Sequence, residues 1–232
     1  MKDSLILSIE TSGAACSVAL SQGGSLVATV TIDDSNSQSS MLVPAVESLF
    51  KKCSKQMSDC DAVAVSSGPG SYTGLRVGVS TAKGLCYGLK CPLIAVPTLE
   101  VLLAEAMETE QCAGAAYYVP MLDARRMEVY QAVYDAAGNC VEPVSAKILD
   151  AGSYEGLLSE GKVAFVGTGA CKYADAFPHP NGVYVQTAPK ASYMAAAAQK
   201  AFDAGRFEDV AYFEPFYLKE FVAVVKKNPI KN

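Results

Sequence analysis

The chain has 232 residues, half of them apolar and 19% charged, with a formal net charge of −5 and a pI near 5.0. That length holds one large domain or two lobes sharing a core, and an acidic chain without clustered Lys and Arg is not an autonomous nucleic-acid binder. No apolar run approaches the ~20 residues needed to cross a bilayer, and Met1-Lys2-Asp3-Ser4 leads into a strand without a long apolar leader or small-residue cleavage site, so a cytoplasmic protein with no membrane role is expected.

Leu5-Ile6-Leu7-Ser8-Ile9-Glu10 reads as a buried strand ending in an acid. Cys16 to Leu20 alternates as a second strand, Gln22-Gly23-Gly24 is a hairpin turn, and Ser25 to Ile32 is a third strand. Leu42, Val46, Leu49 and Phe50 recur at helical spacing between Ser40 and Cys53, where Pro44 is tolerated only within a first turn. The strand Ala62–Val65 then enters Ser66-Ser67-Gly68-Pro69-Gly70-Ser71-Tyr72-Thr73-Gly74-Leu75-Arg76, a turn that opens a helix running to about Leu89. Ser71 or Thr73 is the expected cap. Small residues at Gly74, Gly78 and Ala82, then Gly84 and Gly88, give that helix a smooth face. Because a helical Gly costs about 1 kcal/mol against Ala, a packing reason inside or between molecules is expected.

After the strand Leu93–Val96 and a helix carrying Leu99, Leu102 and Leu103, the opening pattern returns. Tyr117 to Asp123 is again a strand ending in an acid, Glu128 to Tyr134 is its partner, Ala136 to Asn139 is the turn, and Val141 to Leu149 is a third strand. Val163 to Val166 leads into Gly167-Thr168-Gly169, and a helix from Ser192 to Ala204 stops at Gly205. Glu10 and Asp123 hold matching places, so the chain reads as a duplicated α/β protein with lobes at 1–98 and 99–232, its C-terminal helix free to pack back on the first.

Four segments in order, Ile6-Leu7-Ser8-Ile9-Glu10-Thr11-Ser12, Gly68 to Arg76, Leu122-Asp123-Ala124-Arg125-Arg126-Met127-Glu128-Val129-Tyr130 and Glu214-Pro215-Phe216-Tyr217-Leu218-Lys219, resemble the bacterial TsaB (YeaZ) family, whose signature reads GPGSFTGLR where this chain has GPGSYTGLR. The resemblance implies the two-lobed actin, sugar-kinase and Hsp70-like (ASKHA, ribonuclease H-like) fold. It further implies a non-catalytic subunit that binds and activates a TsaD-like catalytic homologue. With a TsaE-like ATPase, that pair transfers a threonylcarbamoyl group to adenosine 37 of tRNAs reading codons that begin with A. Contact with tRNA would come through the complex, and the chain alone would form a homodimer. The interface expected on the two first-half helices comprises Leu42, Val46, Leu49, Gly74, Arg76, Val77, Gly78, Thr81, Ala82 and Leu85, so that Gly78→Leu breaks association and spares the fold.

Chemistry within the chain is sparse. In the wider fold the two hairpin loops and a late glycine turn hold a nucleotide, and their counterparts make Glu10, Thr11, Ser12, Asp123, Gly167 and Gly169 candidates for nucleotide contact; Gly68, Gly70 and Ser71 join them because amides at a helix N-terminus can bind an anion. The second loop has no glycine to bare its amides, and Arg125 and Arg126 are placed to pair with Asp123 or Glu128. The Gly68–Gly74 turn is neither a Walker A loop nor G-x-G-x-x-G. Metal-containing relatives, once called glycoproteases, carry a His pair; this chain has one histidine, His179, in a Pro-flanked loop, and reads Ser35 to Ser40 where many TsaB-like sequences keep a histidine. No resident cofactor is expected, with ATP or ADP at a partner interface as the exception. The alternative is an ATP-dependent phosphotransferase using Glu10 and Asp123 around Mg²⁺. The eight cysteines contain no C-x-x-C pair and read as reduced core residues, and the tail Lys226-Lys227-Asn228-Pro229-Ile230-Lys231 reads as a solvated terminus.

Overall fold

The computed structural model describes residues 3–32 and 38–219, so the basic tail and Ser35-Asn36-Ser37 lie outside it. One five-stranded sheet has the order β3-β2-β1-β4-β5, with β1 (Leu5–Glu10), β2 (Cys16–Gln22), β3 (Ser25–Ile32), β4 (Ala62–Ser66) and β5 (Leu93–Val96). The other has the order β10-β9-β6-β7-β8, with β6 (Tyr117–Asp123), β7 (Glu128–Asp135), β8 (Cys140–Ile148), β9 (Val163–Val166) and β10 (Gly182–Val185). In each, three strands form an antiparallel meander and the fourth and fifth add in parallel beside the first. Parallel neighbours require crossovers, supplied by α1 (Gln38–Lys52) and α2 (Tyr72–Leu89) in the first half and by α4 (Glu155–Glu160) and α5 (Ala170–Ala176) in the second. This twice-repeated order is the actin, sugar-kinase and Hsp70-like architecture expected from the duplicated pattern.

The third helix of each half is exchanged. α3 (Thr98–Glu108) follows β5 but packs on β6 and β9, while α6 (Ala195–Asp203) follows β10 but packs on β1 and β5. The segment from about 190 to 213 therefore rests on the first sheet, continued by a bridge from Glu208 to Leu93 and by Val210 and Phe213 packed against the first-half core. Glu105 on α3, only 9% exposed at its side chain, closes the joint by accepting hydrogen bonds from Thr187 Oγ1 at 2.9 Å and Lys190 Nζ at 2.5 Å.

Side-chain alternation sorts the core onto the two faces of each sheet. Leu5, Leu7 and Ile9 point to α1 and α2, where they meet Leu42, Val46, Leu49 and Val79; Ile6 points to the opposite face, with Met194 and Ala198. In the second sheet Tyr118 and Leu122 meet Leu99 and Leu102 of α3, and Val119 and Met121 meet Leu158 and Tyr173. Each of these fully buried aliphatic side chains stabilises the fold by about 2 kcal/mol. One expectation needs correction: Pro44 stands in the second turn of α1, on its exposed side. The elements α4, α5 and β10 have no counterpart in the sequence pattern. Among the described residues no helix is long and apolar enough to cross a membrane.

Candidate functional site

The four sequence segments that carry the family resemblance converge in the structure. Ser71 caps α2, its Oγ accepting from the Gly74 amide at 3.2 Å, and the Ser71 amide donates to the Ser12 carbonyl at 2.7 Å. The glycines of the turn lie against neighbouring chain. A Cβ at Gly70 would sit 2.6 Å from Ser12 Cβ, and one at Gly74 or Gly78 would overlap the Thr11 carbonyl oxygen or Thr11 Oγ1, inside the 3.0 Å that real Cβ atoms keep. Gly68 has φ 113°, and a Cβ there would overlap the Phe216 carbonyl, whose own amide donates to the Ser67 carbonyl at 2.7 Å. Here only glycine combines the backbone angle with the close approach. The signature turn is thus a packing joint between the first hairpin loop and the segment 214–219.

A cleft of about 750 Å³ opens between the halves, walled by Ser12, Ser71, Asp123, Thr168 and Tyr217, among others. Its second-half wall is charged. The Asp123 amide donates to Thr168 Oγ1 at 3.0 Å, and Asp123 Oδ1 accepts from the Arg125 amide and from Lys172 Nζ, both at 2.6 Å. Lys219 Nζ holds both Glu128 oxygens at 2.5 Å, joining the last segment to the third. The cations on the two acids are therefore Lys172 and Lys219, not Arg125 and Arg126, which occupy left-handed backbone with φ 69° and 45° in an exposed loop. Lys219 falls in the last of the four family-resembling segments, whereas Lys172 sits on α5, which at seven residues is too short for helical periodicity to show. At the mouth Arg76 lies 4.2 Å from the centre of the Tyr72 ring and donates from Nε to Tyr217 Oη at 3.2 Å, with the two tyrosine rings 4.8 Å apart.

These residues do not fit a Mg²⁺-nucleotide held by Glu10 and Asp123. Glu10 is fully buried behind Thr11 and Ser12, outside the cleft wall, with Oε1 accepting the Ser12 amide at 2.5 Å and no hydrogen-bond partner on Oε2 among the described residues. Burial pushes its carboxyl above the ordinary value, outweighing the hydrogen bonds from Ser12 that favour the charged form. Asp123 already holds a lysine. Gly167 and Gly169 are buried against the Met121 backbone and the Val129 side chain, leaving Thr168 as the member of that turn on the cleft wall. His179 is bound into its own loop, where Nδ1 accepts the Asn181 amide at 3.1 Å. Among the described residues no group of three His, Cys, Asp or Glu side chains is placed to hold a metal ion.

The expected interface residues also divide. Leu42, Val46, Leu49 and Ala82 belong to the core of the first half, and Gly74 and Gly78 are buried on Thr11, so Gly78→Leu would break the fold before any association. Arg76 is exposed, and Val77, Thr81 and Leu85 are half-buried at the edge of α2. Spacing revealed the small-residue helix; that its first glycines face inward depends on Thr11, some sixty residues upstream.

The chain matches the family described as TsaD: tRNA N6-adenosine threonylcarbamoyltransferase over residues 33–226. It is 30% identical to the tRNA threonylcarbamoyladenosine biosynthesis protein TsaB of Escherichia coli over 226 residues, covering 94% of this chain and 96% of that one. It is 34% identical to TsaB of Bacillus subtilis over 139 residues, 60% of this chain and 58% of that one. Among solved structures, YeaZ from Pseudomonas aeruginosa superposes with a TM-score of 0.76 at 28% identity, covering 93% of this chain and all of that one. The end-to-end likeness, the shared fold and the convergence of all four segments on one joint place the chain in a single group: it belongs to the TsaB (YeaZ) family of tRNA threonylcarbamoyladenosine biosynthesis proteins.

Proposed function

We propose that this chain is the non-catalytic subunit of a cytoplasmic complex that transfers a threonylcarbamoyl group to adenosine 37 of tRNAs reading codons that begin with A. It binds and activates a TsaD-like catalytic subunit, which works with a TsaE-like ATPase, and tRNA is engaged through the complex. The observation that carries the reading is the burial of Glu10: sealed in the core behind Thr11 and Ser12, it cannot share a metal-nucleotide with Asp123 across the cleft, where Asp123 and Glu128 each sit on a lysine. The single histidine removes the His-pair site of the metal-containing relatives. An acidic chain needs a partner to hold tRNA.

The partner face in this reading is the solvent side of α1 and α2. Gly84 is exposed in α2 with nothing among the described residues within 4 Å of a Cβ built on it, so its cost of about 1 kcal/mol against Ala has no return among them. Close approach of a partner helix supplies one. Arg76 and the half-buried Val77, Thr81 and Leu85 border that strip, and Met41 and Val43 add apolar area on α1, 46% and 42% exposed. A homodimer of the isolated chain would use the same face. Gly84→Leu, which meets open space in the monomer, is expected to leave the unfolding midpoint within about 0.5 kcal/mol of the parent or higher and to abolish co-elution with the catalytic subunit. Retained co-elution of this folded variant overturns the face. The function itself is tested by threonylcarbamoyl transfer to a cognate tRNA with the catalytic homologue and the ATPase, with and without this chain: strict dependence is expected, and equal activity without it overturns the reading.

A further inference from the structure

Away from the cleft, three cysteines from three elements meet at one corner of the first half. Cys60 precedes β4, Cys86 is in the last turn of α2, and Cys91 follows the left-handed cap at Lys90. The topology brings them together. β4 and β5 pair in parallel with Val63 opposite Leu93, so Cys60 and Cys91 enter neighbouring strands from the same end. The Cys91 amide donates to the Cys86 carbonyl at 3.2 Å, which folds the chain back on the helix. All three side chains touch the same hydrophobic cluster; Cys60 and Cys86 are buried within it, while Cys91 is half-buried and open to small solutes. The Cys91 side chain interacts with the thiols of both neighbours. Cys60 Sγ also lies 2.9 Å from the Ala62 carbonyl, so its one hydrogen serves either that oxygen or Cys91. The Cys60 and Cys86 thiols beside it hold the Cys91 thiol below its ordinary value, outweighing the opposing effects of burial and of the nearby Asp61 carboxylate. A thiolate that is reachable, with a second thiol alongside, is the arrangement of a redox-reactive cysteine with its resolving partner.

We propose that Cys91 is a peroxide-reactive thiol that closes a reversible disulfide with one of the two buried cysteines beside it, Cys60 or Cys86. The Cys91 thiolate attacks one oxygen of hydrogen peroxide, the O–O bond breaks, and a sulfenic acid forms as hydroxide leaves. The neighbouring thiol, losing its proton, then attacks that sulfur and displaces the second oxygen as water. Two thiols supply the two electrons that reduce one peroxide to two waters.

The test is peptide mapping of the full chain after brief peroxide treatment and alkylation of the remaining thiols. Trypsin places Cys60, Cys86 and Cys91 on separate peptides, spanning 56–76, 84–90 and 91–125. A cross-link between the Cys91 peptide and either of the other two is expected, with fragmentation assigning it to Cys91 rather than Cys112, and dithiothreitol should remove it. Cys91→Ser should lose the cross-link and leave Cys60 and Cys86 alkylatable, with an unchanged circular dichroism spectrum confirming the fold. Cys140 and Cys171, which are exposed, should react with limiting iodoacetamide about an order of magnitude more slowly than Cys91. The proposal is overturned if all three thiols stay free while Cys140 and Cys171 oxidise, or if folded Cys91→Ser forms a Cys60–Cys86 link.

Discussion

Both halves turn from their fourth strand into a helix through glycines, yet they build different walls around the cleft. In the first half, Gly68, Gly70 and Gly74 let the turn lie on Thr11, Ser12 and Phe216, and the acid at the end of β1 disappears into the interior. In the second half, Gly167 and Gly169 lie on Met121 and Val129, while the acid at the end of β6 stays at the surface and is paired with Lys172. One duplicated plan thus yields a wall closed by backbone contact and a wall laid out in charges. The difference follows from side-chain size at the hairpin loop. Thr11 and Ser12 are small enough for a helix to close over them, whereas Arg125 and Arg126 must keep their charges in water.

The most severe way to break the comparison is a single methyl at Gly74. Its Cβ would meet the Thr11 carbonyl, which is backbone at the edge of a fully buried strand and cannot swing away. Gly74→Ala is expected to lose about 3 kcal/mol or more in urea unfolding. Gly167→Ala should cost comparably, because its Cβ meets the Met121 carbonyl and its φ of 123° is unsuited to alanine. Gly169→Ala meets the buried Val129 side chain at 2.8 Å rather than backbone, and should lose less, about 2 kcal/mol. On the same helix as Gly74, Gly84→Ala should gain up to about 1 kcal/mol. If Gly74→Ala and Gly84→Ala behaved alike, the internal packing assigned to the first glycines would be wrong.

These contrasts show what was legible in the sequence. Strands β1, β4, β6 and β9 are short apolar runs bounded by turns and were read with nearly their observed bounds, and the repeat followed from them. α4 spans six residues and α5 seven, too short for helical periodicity to show, and β10 is a four-residue edge strand that is half-buried throughout. The glycine helix was recognised but its faces were misassigned, because spacing records which residues share a side and not what lies opposite. Glu10 and Asp123 hold equivalent places, and only three-dimensional packing separates a buried acid from a paired one. The ion pair of Glu128 with Lys219 joins residues 91 positions apart, beyond any local pattern.

The next comparison sets the buried acid against the exposed one through pH. The folded Glu10 carboxyl titrates above its ordinary value of 4.5, so the native state holds this proton more tightly than the unfolded chain does. Its contribution to stability is therefore complete below about 4.5 and is lost as pH rises through the folded value. Glu10→Gln keeps an oxygen for the Ser12 amide and removes the buried charge. The variant is expected to flatten that part of the stability–pH curve and to be at least as stable as the parent at neutral pH. Denaturant titrations of both proteins across the acid range measure this, and an unchanged slope in the variant would mean that Glu10 is not the group responsible.

The smallest effect is expected on the charged wall, where its size carries the information. The Asp123 side chain is 45% exposed, so much of its attraction to Lys172 is screened by water even at 2.6 Å. A double-mutant cycle with Asp123→Asn and Lys172→Met should return a coupling below about 1 kcal/mol, reduced further by salt. Lys172 Nζ also donates to the Glu128 carbonyl at 3.1 Å, so the single lysine change removes two contacts and should cost more than the aspartate change alone. A salt-independent coupling of several kcal/mol would show that the pair lies in a drier environment than its exposure implies. The charged wall would then be as closed as the glycine wall opposite, and the distinction between the halves would reduce to which atoms make the seal.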